Sequence, residues 1–127
     1  MRIALDTNRY VDLIRGEASV VLALEKADAV LIPFVVIGEL RAGFCAGSRR
    51  AENEEILERF LLKNGVEVLY ATDQTTRNYA GLYRQLRAQG TPIPTNNLWI
   101  AALVIEKGLT LMTRDRHFGH IPQLHLL

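Results

Sequence analysis

Two aspartates, a glutamate and an asparagine are the residues of this chain best placed to do chemistry. Asp6 closes the first apolar run, Arg2–Asp6 (RIALD), and Asp115 follows the last long one, Leu109–Thr113. Glu39 lies among Val35, Val36, Ile37 and Leu40, company in which an unpartnered acid is costly to bury. Asn97 falls in the first turn of a predicted helix that begins near Thr95. Ligands of open parallel α/β sheets bind beyond the carboxyl ends of the strands, so polar residues just after strands are the informative ones. Carboxylates gathered within a few ångströms repel, and their pKa values rise unless a cation neutralises them. Mg²⁺ or Mn²⁺ would do so, because hard cations take oxygen ligands. Such a centre can activate a water and hold a phosphodiester for in-line attack. Plainer readings stand beside this one: Asp6 as a loop cap, Asp115 as a turn acid in TRDRH, Glu39 as the partner of Arg41 or another cation, and Asn97 as a first-turn residue that helps cap its helix.

The elements that must position these residues follow from patterning. Short apolar runs alternate with longer amphipathic ones, which predicts an α/β domain with a mostly parallel sheet. Strands are expected at Arg2–Asp6, Ala29–Ile32, Val66–Tyr70 and Leu109–Thr113, with a short fifth at Leu124–Leu127. Helices are expected at Asn8–Arg15 and Glu17–Lys26, and from about Phe34 to Phe44, with Pro33 tolerated at its opening. Ala51–Lys63 carries Ile56, Leu57, Phe60 and Leu61 at helical spacing with acids on the other face, and Asn64–Gly65 is expected to stop it. Asp73 is expected to cap a long helix to about Ala88. After the Gly90–Pro94 loop, Thr95 or Asn96 is expected to cap a helix to about Lys107. There is no repeat, linker-like stretch or low-complexity tract, so residues 1–127 read as one domain.

Bulk properties narrow the classes without choosing one. No apolar run approaches the ~20 residues of a membrane span. The opening MRIALDTNRY enters a strand-like run directly and Cys45 is the only cysteine, so a cytoplasmic location is expected. A net charge of +1 gives no overall attraction for phosphate, although 12 of the 15 basic residues are Arg, the better residue for two-pronged phosphate contacts. No glycine-rich phosphate loop is present.

LDTN at Leu5–Asn8, GEL at Gly38–Leu40, PTNNLWIAA at Pro94–Ala102 and TRDRHF at Thr113–Phe118 resemble, in order, the four blocks of PIN-domain ribonucleases, and most of all the VapC-type toxins. The resemblance implies a three-layer α/β/α sandwich and an Mg²⁺- or Mn²⁺-dependent endoribonuclease held in check by a partner antitoxin. It places Asp6 as the first acid and main metal ligand, Glu39 as the second, and Asp115 as the acid after the last long strand. Thr7 and Thr113 match the flanking hydroxyl residues, and Asn8 the asparagine expected to orient Asp6 or a metal-bound water. It further implies products with 5′-phosphate and 3′-hydroxyl ends, and homodimers packed through helices of the first half of the chain. The antitoxin would lay a tail across the acidic cleft and bring an arginine into it.

The third block departs from the family pattern. Where the family has Asn-Asp, this chain has Asn96–Asn97, so an aspartate that would itself bind metal is replaced by a neutral amide. An amide offers one oxygen without charge, and its nitrogen donates a hydrogen bond. Weaker cation binding and suppressed cleavage are expected, whether Asn97 is a natural variant or a replacement made to spare a host from an active toxin. The second explanation fits better, because every other site position follows the pattern. The main alternative function is a non-catalytic RNA- or antitoxin-binding PIN module. A phosphoryl-transfer domain of the haloacid dehalogenase type ranks last, since it needs a second aspartate where Asn8 stands.

Other polar and aromatic residues receive lesser roles. Arg77, Arg84, Arg87, Arg114 and Arg116 are candidate phosphate contacts, each weak alone. Tyr79 and Tyr83, four apart on one helix, suit base stacking or packing alike. His117 and His120 are rejected as a metal pair for want of a third ligand. His125 is expected to be structural, Cys45 buried or half-buried and chemically inert, and Trp99 packed in the core or at an interface. The acids of Glu52–Glu58 are expected to form a solvated face balanced by Arg49, Arg50, Arg59 and Lys63.

Overall fold

The computed structural model describes all residues from Met1 to Leu127. Five strands form one wholly parallel sheet: β1 Arg2–Leu5, β2 Ala29–Pro33, β3 Val66–Leu69, β4 Thr110–Met112 and β5 His125–Leu126, in spatial order β3-β2-β1-β4-β5. Between β1 and β2 lie α1 Thr7–Ile14 and α2 Ala18–Lys26, and between β2 and β3 lie α3 Phe34–Ala46 and α4 Arg50–Leu61. The helices α5 Asp73–Gln89 and α6 Thr95–Glu106 then lead to β4, and a 3-10 turn at Arg116–His120 leads to β5. The first crossovers step outward from β1 through β2 to β3. The α5–α6 crossover returns past β1 to β4. Crossovers of parallel sheets are right-handed, so reversing direction puts α5 and α6 on the opposite face from the earlier helices. The result is the expected three-layer sandwich.

Burial follows this order. In the central strand Ile3, Ala4 and Leu5 are all buried, as a strand covered on both faces requires. Edge strand β3 exposes Glu67, and edge strand β5 exposes both its residues. Helix α6 is the most deeply buried, with Leu98 and every residue from Ile100 to Val104 inside the core. Such all-round burial is what its nearly uninterrupted apolar sequence demands.

Helix ends differ in detail from the sequence expectation. The cap of α5 is Thr72, not Asp73: the Thr75 hydroxyl oxygen accepts from the Thr72 backbone N–H at 2.9 Å, and Asp73 lies in the first turn. There its charge still complements the helix dipole. Helix α6 is entered through Pro94 in extended conformation, so Thr95 and Asn96 are its first helical residues, not its caps. Proline's fixed φ suits that entry. Helix α4 ends at Leu61, ahead of Asn64–Gly65. One burial expectation fails: Cys45 is exposed on α3. His125, expected to be structural, lies in edge strand β5, where it pairs with Thr110 and is exposed. Trp99 is half-buried and stacks on Tyr79, with ring centroids 4.0 Å apart.

Candidate active site

Strands are added in one direction from β1 to β3 and in the other from β4 to β5, so the strand order reverses between β1 and β4, which are parallel neighbours in the sheet. Such a switch point opens a crevice at the strands' carboxyl ends. Both strands deliver an acid there: Asp6 is the residue after β1, and Asp115 lies three beyond the end of β4.

Asp6 is 5% exposed and caps α1, its Oδ1 accepting from the Thr7 N–H at 2.8 Å. The cap and the site are thus one residue. Its Oδ2 accepts from the Thr113 hydroxyl at 2.6 Å and from the Asn8 amide at 3.2 Å. Asn8 is fixed in turn by the Arg114 backbone N–H, which donates to its Oδ1 at 3.0 Å. Glu39 reaches the same centre from α3, where Thr7 donates its hydroxyl to Oε1 at 2.8 Å and Asn96 donates to Oε2 at 3.5 Å. Arg41, the alternative partner considered for Glu39, instead binds Glu54 on α4. On the other side, the Thr113 oxygen accepts from the Asp115 backbone N–H at 2.9 Å. Asp115 takes Asn97 Nδ2 on Oδ2 at 3.0 Å, and on Oδ1 both the N–H of His117 at 2.9 Å and its ring Nδ1 at 2.8 Å. The expected residues Asp6, Thr7, Asn8, Glu39, Asn97, Thr113 and Asp115 therefore form one hydrogen-bonded network.

Electrostatics agree with this convergence. Burial holds the Asp6 carboxyl above the usual aspartate range; the Thr113 and Thr7 bonds pull it down, and the charges of Glu39 and Asp115 push it up again. For Asp115 burial is again the largest influence and acts upward. The His117 N–H, the Asn97 amide and the His117 ring together outweigh it, leaving the carboxyl below its ordinary value. None of the three acids has a Lys or Arg partner. The donor set, oxygen only and excess in negative charge, fits a hard divalent cation by type. The acids meet through intervening hydroxyls and amides, and no three His, Cys, Asp or Glu side chains stand close enough together to share one ion.

The candidate phosphate contacts divide. Arg114 is committed to Asp12 of α1 by two bonds of 2.8 and 3.1 Å, and Arg77 to Asp73 at 3.2 Å. Arg87 lies over the Tyr83 ring and bonds its hydroxyl, while Tyr83 stacks on Tyr79. Arg84 and Arg116 are exposed and unpaired. Three neighbours of the site were missed in the sequence. Asp12 holds the turn after β4 onto α1 from 102 residues away, and no local signal marks it. Asn96 reaches Glu39 only because α3 and α6 come together. His117 was weighed as a metal ligand, whereas its partner is Asp115; the two-residue spacing of an Asx turn was the available clue. A groove of about 760 Å³ lies at the other end of the sheet, lined by Leu13, Val21, Leu24, Val30, Phe60 and Val66 among others. It gathers no comparable set of acids.

The fold and this edge site define the class. The profile of the PIN domain matches residues 3–124, and the chain belongs to that family. It is 28% identical over 125 residues to ribonuclease VapC1 of Haemophilus influenzae, covering 94% of this chain and 92% of that protein. It is 31% identical over 121 residues to the plasmid stability protein StbB of Pseudomonas syringae pv. tomato, covering 89% and 87%. Among solved structures, VapBC2 of Rickettsia felis bound to a DNA fragment from its promoter superposes with a TM-score of 0.88 at 29% identity, covering 100% of this chain and 98% of the other.

Proposed function

We propose that this protein is the toxin of a toxin–antitoxin pair, an Mg²⁺- or Mn²⁺-dependent endoribonuclease whose present form is impaired by Asn97. The observation that carries the reading is the cluster of Asp6, Glu39 and Asp115 at the sheet's switch point, linked to one another and free of Arg or Lys partners. A fold selected only for stability gains nothing by gathering acids without basic partners. Asp6 and Asp115, which flank the Thr113 hydroxyl, would hold the cation, and Glu39 and the Asn97 oxygen would have to turn inward to join them. The cation supplies charge neutralisation for a phosphodiester and acidity for a water. Thr7, Asn8 and Thr113 keep Asp6 in place. Glu39 is half-exposed, and its Oε2 is met only by Asn96 at 3.5 Å, so it keeps an oxygen with which to orient a water or take its proton. Of the five candidate arginines, Arg84 and Arg116 are the ones free to meet RNA phosphates. Following the family, the products carry 5′-phosphate and 3′-hydroxyl ends.

The partner is an antitoxin protein whose tail crosses the acidic edge and brings an arginine to the carboxylates, a charge-assisted contact that shuts the site. The supporting likeness is to toxins solved within VapBC complexes. The proposed assembly is a homodimer through helices of the first half of the chain, where Phe34 of α3 is 38% exposed; light scattering measures its mass. The proposed place of action is the cytoplasm, and no helix is long and apolar enough to cross a membrane.

A second reading, a PIN module that binds RNA or antitoxin without cutting, is favoured by the amide at position 97. Incubating this chain and its Asn97→Asp variant with structured RNA, with Mg²⁺ or Mn²⁺ and with EDTA, separates the two. Cleavage by the variant alone, abolished by EDTA, is the outcome expected of a toxin. No cleavage by either protein favours the binding module.

A further inference from the structure

Asn97 is 8% exposed, and its side chain points at an acid. The orientation of that amide is dictated by its neighbour: with Nδ2 toward Asp115 Oδ2 a bond of 3.0 Å forms, whereas the flipped amide would face oxygen to oxygen. The same rule holds around the whole cluster. Asp6 accepts three neutral donors across its two oxygens, from Thr7, Asn8 and Thr113. Asp115 accepts from the Asn97 amide and the His117 backbone N–H, and the His117 ring Nδ1 lies 2.8 Å from its Oδ1. Glu39 has Thr7 on one oxygen and Asn96 on the other. Asp6 and Asp115 are thus occupied by donors of their own chain, and Glu39 is met more loosely.

We infer that Asn97 acts as a built-in substitute for the cation, bonding Asp115 from inside so that the site is closed and satisfied with no metal bound. The inference rests on the reading of these acids as a cation site. Its physical basis is the asymmetry between an amide and a carboxylate at one position. An amide gives Asp115 a hydrogen bond. A carboxylate of the same shape would set two anions about 3 Å apart in a half-buried site already holding Asp6, a repulsion that a proton or a cation relieves. A cation entering the present chain must first break the Asn97–Asp115 bond, and it gains one charge less for doing so. Asn97 is therefore a positioning residue for Asp115, and the chain's stability is uncoupled from metal.

Thermal unfolding tests this without any RNA. The parent chain should melt at the same temperature in EDTA and in millimolar Mn²⁺ or Mg²⁺. Asn97→Asp should melt lower than the parent in EDTA, by roughly 3–6 °C, and recover as Mn²⁺ is added in a saturable way, because a ligand that binds only the folded state stabilises it. Asn97→Ala, which removes the donor without adding a charge, should melt lower and show no recovery. Calorimetric titration of Mn²⁺ into the parent, expected to show no saturable binding at submillimolar cation, keeps the test decisive if Asn97→Asp does not fold. Equal gains from Mn²⁺ in parent and Asn97→Asp, or tight binding by the parent, would overturn the inference and leave the nuclease reading intact. A destabilised Asn97→Asp that no divalent cation restores would sink both.

Discussion

Acids are gathered in two places in this molecule, and they are treated in opposite ways. On α4, Glu52, Glu54 and Glu55 each face an arginine: Arg49, Arg41 and Arg59. These pairs are solvent-exposed or nearly so, and Glu52 lies below its ordinary pKa because the Arg49 bond and charge favour the ionised form. At the sheet edge, Asp6 and Glu39 face hydroxyls and amides, Asp115 faces the Asn97 amide and His117, none has an arginine or lysine, and burial holds the Asp6 carboxyl up. The composition is similar and the meaning differs. A helix face rich in acids and balanced by neighbouring arginines is a solubility device worth little in stability. A buried acid denied a basic partner is expensive, and a fold that keeps it there has reserved the place for something else.

The sharpest way to break this contrast is to remove one acid from each region. In an Asn97→Asp background with Mn²⁺, Asp6→Ala should lower RNA cleavage by about 100-fold or more, a loss of about 2.7 kcal/mol in transition-state stabilisation, while Glu55→Ala changes the rate less than about twofold. Equal losses would erase the distinction. Next in size is the support of the cluster. Thr113→Val removes both the donor to Asp6 and the acceptor for the Asp115 N–H, leaving buried groups unmatched. It should cost about 1–3 kcal/mol in urea unfolding.

Titration sharpens the contrast by sign. Asp6 binds its proton more tightly when folded, so it adds stability below the ordinary aspartate range, and that contribution disappears as pH rises through its folded value. Glu52 does the reverse: its contribution is present above the ordinary glutamate range and is lost as pH falls through its lowered folded value. Carboxyl NMR in metal-free buffer should find Asp6 above, and Glu52 below, the values of model peptides. The smallest expected effect belongs to the surface. Arg49→Ala should change stability by under about 0.5 kcal/mol and matter still less at high salt.

Much of the site was legible because its residues sit where local pattern and site coincide. Asp6, Asp115 and Glu39 stand out against apolar runs, and the strand after which an acid falls can be read from a few residues of sequence. Position 97 was legible for the same reason. What escaped was everything that depends on which surfaces meet. Arg114 looked like a phosphate contact and is spent on Asp12. Glu106, unremarked in the sequence, is 8% exposed at its side chain and held by the hydroxyls of Thr72, the cap of α5, and of Thr75 in its first turn. Cys45 was expected buried or half-buried, but the outer face of α3 is left uncovered.

The sequence by itself determined the alternation of strands and helices, the parallel sheet and the kinds of atoms offered at its edge, because apolar periodicity and short-range turn chemistry act within a few residues. Only the tertiary structure decided that β4 inserts beside β1, which brings Asp115 to Asp6 through the single hydroxyl of Thr113. It also decided that the amide of Asn97 turns its nitrogen to Asp115. Those contacts join residues 107 and 18 positions apart. Their free energy depends on burial and on the exclusion of water, which exist only once the layers have closed.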